Sequence, residues 1–143
     1  MTPTAALERL HRIAHRHWAG QAATAGLTHS EFEYLRAIRE QERRKVDRDD
    51  HGQHLQDVVA AMGVSKASAS AMVVKLEERG LVRRVPCLMD ARAQHILLTD
   101  EGASLLRRGE EIYRDALRHL FGGLEGYDRD AFRRALRDLA DLP

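Results

Sequence analysis

A single cysteine, Cys87, stands in this chain of 143 residues. An internal disulfide is therefore excluded, and so is any zinc site built from several cysteines. No apolar run approaches the roughly 18 residues that a membrane span requires. No signal-peptide pattern opens the chain, so a cytoplasmic protein with no membrane partner is expected. Glycine-rich phosphate loops, nucleophile elbows and zinc-protease motifs are all missing, which argues against an enzyme. Neither a cofactor nor a bound metal is expected, and there are no internal repeats or low-complexity stretches. Charge of one sign is scarce as well: 23 Lys and Arg face 22 Asp and Glu, a formal net of +1. Any basic surface has to be local. The length suits one domain that buries roughly 70% of its unfolded surface, enough for a workable core.

What is present is concentrated between Leu55 and Gly102. Apolar residues fall at Leu55, Val58, Val59 and Met62, and again at Ala69, Met72, Val73 and Leu76. Both sets follow the i, i+3, i+4, i+7 spacing of a helix with one buried face. Gly63-Val64-Ser65 separates them. Glycine ends the first helix, valine plugs the angle between the two, and serine caps the second. Two short helices joined by such a turn make a helix-turn-helix, whose second helix can enter a DNA major groove.

Gly80 then stops the second helix. Leu81-Val82-Arg83-Arg84-Val85 and His95-Ile96-Leu97-Leu98 are β-prone runs around a loop of about eight residues, the signature of a long hairpin. Thr99 reads as the N-cap of a further helix with acids in its first turn. Beside a recognition helix, this hairpin is a wing placed to touch phosphates or the adjoining minor groove.

Met62-Gly63-Val64-Ser65, Lys75-Leu76-Glu77-Glu78-Arg79-Gly80-Leu81-Val82, Asp90-Ala91-Arg92 and Leu98-Thr99-Asp100-Glu101-Gly102 occur in an order and spacing that resemble the MarR family (multiple antibiotic resistance regulators). Leu27-Thr28-His29-Ser30-Glu31-Phe32-Glu33-Tyr34-Leu35 is similar to the same family's entry into its second helix. The resemblance covers about Leu27 to Gly102 by motif. It implies a homodimeric, winged-helix, sequence-specific double-stranded DNA-binding regulator on a pseudo-palindromic operator, often a repressor released by a small ligand or an oxidant. The expected fold is mainly α with a small β-hairpin wing, in a single domain. Residues 1–26 would form an N-terminal dimerisation helix, 27–99 the DNA-binding lobe, and 100–143 the C-terminal dimerisation helices.

The flanks fit that layout. Thr4 to Ala19 carries Leu7, Leu10, Ala14 and Trp18 at helical spacing. Thr28 and Glu31 form a capping-box pattern opening a helix to Glu40. Asp100 to Phe121 repeats apolar residues by threes and fours before Gly122-Gly123, and Arg129 to Leu142 does so with Phe132, Leu136 and Leu139. Such one-sided helices call for a symmetric partner; packing on each other within a monomer is the alternative. Arg36 to Asp50 mixes signs and reads as a solvated helix extension, with pairs such as Glu40 and Arg44, followed by an exposed loop. Contact of Arg43, Arg44 and Lys45 with phosphates is the competing reading.

With the Ala69-Met72-Val73-Leu76 stripe inward, Ala67, Ser68, Ser70, Ala71, Val74 and Lys75 face outward. Ser65 and Lys66 stand at the helix N-terminus, where free N–H groups favour phosphate. Ser68 and Ser70 can bond a base edge, while Ala67 and Ala71 offer only methyl contacts. Family members commonly place an arginine where Ala71 stands, so direct readout should be limited. In the wing, Arg92 is the residue for the minor groove, held by Asp90, and Arg84, Lys75 and Arg79 are candidate phosphate contacts. From Gln53 to Thr99 six basic residues face four acidic ones, a local surplus of two.

Three signals compete. A small organic effector between the dimer helices and the DNA lobe follows from the resemblance, with Trp18, Arg12, Arg16 and His29 as conceivable lining residues. Metal sensing is suggested by eight histidines, with His11 and His15 one helical turn apart and His17, His51, His54 and His119 as further ligands. Thiol oxidation at Cys87, beside Arg84, is the third, against an ordinary half-buried strand cysteine. A winged helix used only for protein contacts stands as the rival to DNA binding.

Overall fold

The computed structural model describes residues 1–46, 54–88 and 91–141, with the backbone alone at 44–46. In chain order the elements are α1 (Pro3–Ala25), α2 (His29–Val46), α3 (Leu55–Met62), α4 (Lys66–Glu78), β1 (Val82–Pro86), β2 (Gln94–Leu98), α5 (Asp100–Phe121) and α6 (Gly126–Ala140). The expected class is present: helices throughout and one antiparallel hairpin. No single described helix is long and apolar enough to cross a membrane. The chain divides into two compact units, Gly20–Glu110 and Met1–Ala19 with Glu111–Pro143.

The first unit is built on the junctions read in the sequence. Gly63 adopts φ 63° and its N–H reaches Val59 O, closing α3 in the left-handed conformation that glycine tolerates. The Ser65 hydroxyl accepts from Ser68 N at 3.1 Å and so caps α4. Between α3 and α4 the axis turns by 114°, inside the range of helix-turn-helix pairs, about 90–120°. Strands β1 and β2 pair with Val82 opposite Leu98 and Pro86 opposite Gln94. Cys87 N donates to Ala93 O at 3.1 Å, one step past the ladder. Thr99 caps α5 by accepting from Gly102 N at 3.0 Å, and its own hydroxyl donates to Gly80 O at 2.6 Å. Phe32, Leu35 and Ile38 of α2 bury completely among Val58, Val73, Leu76 and Val82. Gly109 has no room for a side chain, since a Cβ there would lie 2.2 Å from the Phe32 ring.

Helix α2 runs to Val46, so the start of the charged segment is the helix extension read from the sequence; 47–50 lie outside the described residues. Its acids are not all solvated. Glu42 Oε1 accepts from Leu98 N at 2.7 Å and ties β2 to α2. The capping box is present, with Thr28 N donating to Glu31 Oε1 at 3.0 Å and Glu31 N to the Thr28 hydroxyl at 3.1 Å. Glu31 is also the buried partner of Arg79, only 2% exposed, and Arg79 donates to Gly26 O at 2.6 Å. Burial alone would raise the Glu31 carboxyl. The Thr28 N–H, the Arg79 guanidinium and the Thr28 side chain more than offset it, holding that group below its ordinary 4.5.

A depressed carboxylate contributes stability that is complete above the unfolded value and disappears as pH falls through the folded one. Glu31→Gln should therefore cost about 2 kcal/mol at neutral pH. The difference between variant and parent should shrink steadily as acid is added below about pH 4.5. Thermal melts across that range check this, and a constant gap would show that the carboxylate charge is irrelevant.

In the second unit Trp18 is buried and its ring centroid lies 5.4 Å from that of Tyr113. Phe121 and Phe132 meet edge to face at 5.3 Å. Ile112 and Ala116 are buried, whereas α6 buries no residue at all. Leu139 is 64% exposed and Leu7 69%, with Tyr127, Leu136 and Leu117 also open.

Candidate nucleic-acid interface

Helix α4 turns the expected face outward. Ala69, Val73 and Leu76 are buried, Met72 is half-buried, and Lys66, Ala67, Ser68, Ala71, Val74 and Lys75 are exposed. Ser65 is exposed but its hydroxyl is engaged as the cap and also donates to the Ser68 hydroxyl at 2.9 Å. Either serine must exchange that bond to reach a base.

Between α4 and the wing lies an open cleft of about 420 Å³. Lys66 and Ser70 line it from α4, His54, Leu55 and Gln56 from the start of α3, and Arg84, Arg92 and Gln94 from the hairpin. Three cations and no carboxylate face it among the described lining residues. The local surplus of two in the sequence understates this, because folding gathers Lys66, Arg84 and Arg92 onto one concavity. Concave walls of low polarisability concentrate such a field. The cleft thus has the sign, shape and polar fringe to hold a phosphate-bearing strand.

One expectation requires correction. Arg79 is not available to a phosphate: it is bonded to Glu31 and to Gly26 O, so its role is structural. Arg84 lines the cleft but its Nε lies 3.3 Å from Glu77 Oε2, a pair that a phosphate has to displace. Arg92 is exposed at the cleft, as the wing reading anticipated. Asp90, its expected orienting partner, lies outside the described residues. Gln56 and Gln94 were missed. Glutamine at a first helical turn and at a strand start carries no local signal, and only the tertiary fold brings the two to one cleft.

The expected effector residues have local partners of their own. Arg12 pairs with Glu8 at 3.9 Å, and His29 lies 3.7 Å from Glu33, each along its own helix. Cys87 is fully buried, not half-buried, and follows β1 rather than sitting within it. His11 and His15 stack with centroids 6.3 Å apart, on the exposed side of α1. Among the described residues they form no histidine cluster of the kind a sensor on these helices needs, and His51 lies outside the described residues. Among the described residues the potential metal ligands converge elsewhere, at His54, Cys87 and His95.

The sequence model of the MarR family matches residues 25–93, the stretch that spans the helix-turn-helix and reaches into the wing. The transcriptional regulator HosA of Escherichia coli O111:H- is 27% identical over 135 residues, 94% of this chain and 93% of its own. Among solved structures, a MepR F27L mutant of S. aureus bound to an oligodeoxyribonucleotide aligns at a TM-score of 0.69 and 16% identity, covering 98% of this chain and 96% of that one. BpsR of Bordetella bronchiseptica, whose DNA binding is regulated by 6-hydroxynicotinic acid, aligns at 0.67 and 23% identity over 99% and 95% of the two chains. The helix-turn-helix, its wing and these matches together make the chain similar to the MarR family of transcriptional regulators, whose model covers just under half of it.

Proposed function

We propose that the chain is a sequence-specific double-stranded DNA-binding repressor, acting as a homodimer on a pseudo-palindromic operator and responsive to a small-molecule effector. The cationic cleft between α4 and the wing carries this reading. Lys66, Arg84 and Arg92 neutralise phosphates there, and Lys75 adds a contact near the end of α4. Ser65 and Ser68 offer the helix N-terminus to a phosphate, and Ser70 reaches a base edge. Ala67, Ala71 and Val74 give methyl contacts, for instance to thymine. Small side chains and no arginine on this face make the reader one of close fit rather than of many base-edge bonds. Occupancy of a promoter is enough for repression, whereas activation requires a further surface for polymerase. The effector assignment is supported by BpsR, and dimerisation by the apolar side of α6.

Binding to the DNA upstream of the chain's own coding region, measured at two salt concentrations, tests the reading. Affinity should fall steeply with salt, and Arg92→Ala should lower the slope by about 0.9 for each subunit's lost contact. Glu77→Gln should act in the opposite direction, releasing Arg84 and raising affinity several-fold. Affinity indifferent to salt, or no binding to any duplex, would transfer the winged helix to the class of protein-interaction modules.

A further inference from the structure

His54, Cys87 and His95 are all buried, and one ligand atom from each lies within 4.8 Å of the other two. We propose that these residues form a binding site for one zinc ion, which ties the start of α3 to the root of the wing. The inference stands apart from the DNA reading and shares only His54 with the lining of the cleft.

Each residue arrives from a different element. His54 directly precedes α3, Cys87 follows β1, and His95 sits on β2 opposite Val85. On β2, Gln94 turns to solvent and His95 inward, so the strand aims its imidazole at the interior. The rings of His54 and His95 are 4.7 Å apart at their centroids, and Cys87 is held beside them by the bond from its N–H to Ala93 O. Two imidazoles and a thiol are a poor choice for filling a small core by packing, since apolar side chains do so without polar atoms to satisfy. They are a good choice for a borderline-soft ion.

The geometry is close to what such an ion needs. Tetrahedral zinc, with bonds of about 2.0–2.1 Å to nitrogen and about 2.3 Å to sulfur, sets ligand atoms about 3.3–3.8 Å apart. Rotamer adjustments of about 1 Å close the present triangle to that size. A carboxylate stands behind one ligand: Asp57 Oδ2 accepts from His54 N at 2.9 Å and lies 3.9 Å from His54 Nδ1. A carboxylate beside the imidazole is the kind of neighbour found behind metal-bound histidine. Binding releases the Cys87 thiol proton to solvent and leaves the fourth position to water. His54 also lines the cationic cleft, so the ion fixes the hairpin's angle to α3 beside the surface that faces the duplex. Redox chemistry is not required, which favours zinc over copper for this role.

The experiment uses the full chain, reduced and stripped by a chelator, titrated with Co²⁺ as a spectroscopic stand-in and then with Zn²⁺. One Co²⁺ per chain should bind with a near-ultraviolet thiolate-to-cobalt band and a tetrahedral visible spectrum, both erased by one equivalent of Zn²⁺. Cys87→Ser should lose the thiolate band. His54→Gln and His95→Gln should each weaken binding by tenfold or more, whereas the double variant His11→Gln, His15→Gln should bind as the parent does. Zinc should raise the melting temperature of the parent and slow alkylation of Cys87, and should leave the melting of Cys87→Ser unmoved. Circular dichroism of the metal-free variants separates lost ligands from lost fold, and Cys87→Ala supplies a second thiol-free chain should Cys87→Ser fail to fold. A parent without the thiolate band, uptake surviving in Cys87→Ser, or uptake of Cu⁺ but not of Zn²⁺ overturns the proposal. Failure to bind any duplex would count against the regulator reading alone, since metal uptake is measured without DNA.

Discussion

The double substitution Leu136→Asp, Leu139→Asp should turn a dimer into a monomer and lower operator affinity by a factor of about 10² to 10⁴. Helix α6 buries none of its residues within the chain, yet Phe132, Leu136 and Leu139 recur at i, i+4, i+7, and Leu139 is largely open to solvent. Fifteen residues of helix with one apolar side gain little stability alone. In the proposed homodimer a twin subunit would supply the missing cover, and its loss would separate two half-site contacts that otherwise bind as one. Neither leucine lies in the cationic cleft, so weakened DNA binding in this variant reports assembly and not readout. Sedimentation measures the first effect and anisotropy with labelled operator the second. A parent that sediments as a monomer at micromolar concentration, or a variant that remains a dimer, removes α6 from the interface.

Gly102→Ala should destabilise the fold by about 3 kcal/mol, a drop in melting temperature of roughly 10 °C. A Cβ at Gly102 would lie 1.9 Å from Leu81 O, which accepts the N–H of Thr99 at 3.1 Å. The obstacle is backbone, with no flexible side chain to yield, and the displaced carbonyl is part of the junction where the hairpin returns to α5. Gly20→Ala is the control. It lies within α1, its Cβ would meet nothing within 4 Å among the described residues, and alanine in a helix is better by about 0.5–1 kcal/mol. Equal melting temperatures for parent and Gly102→Ala would show that the junction adapts at no cost.

The helix-turn-helix and wing were legible because their signals are local. Gly63, Ser65, Gly80 and Thr99 each end or start an element by their own backbone chemistry, and the apolar spacing between them needs no distant partner. The continuation of α2 to Val46 was legible from its charge pairing, since Arg, Glu, Gln and Lys favour helix without giving an apolar period to count. Roles that depend on contacts across the sequence were not legible. Arg79 sits 48 residues from Glu31, so its diversion from phosphate becomes visible only after folding. Glu77 neutralising Arg84 likewise depends on how β1 leaves α4. The convergence of His54, Cys87 and His95 unites residues that no spacing rule connects, whereas the regular His11 and His15 pair drew attention to a surface with no third ligand among the described residues.

The bond from Leu98 to Glu42 has a consequence for self-association. A lone hairpin offers two unpaired borders, each able to take up a strand from another chain. On β2, an anionic carboxylate already occupies the outward amide at Leu98. On β1, Pro86 has no amide hydrogen to offer, and Arg83 adds positive charge nearby. Neighbouring wings of separate molecules thus have little means of zipping together into a shared sheet.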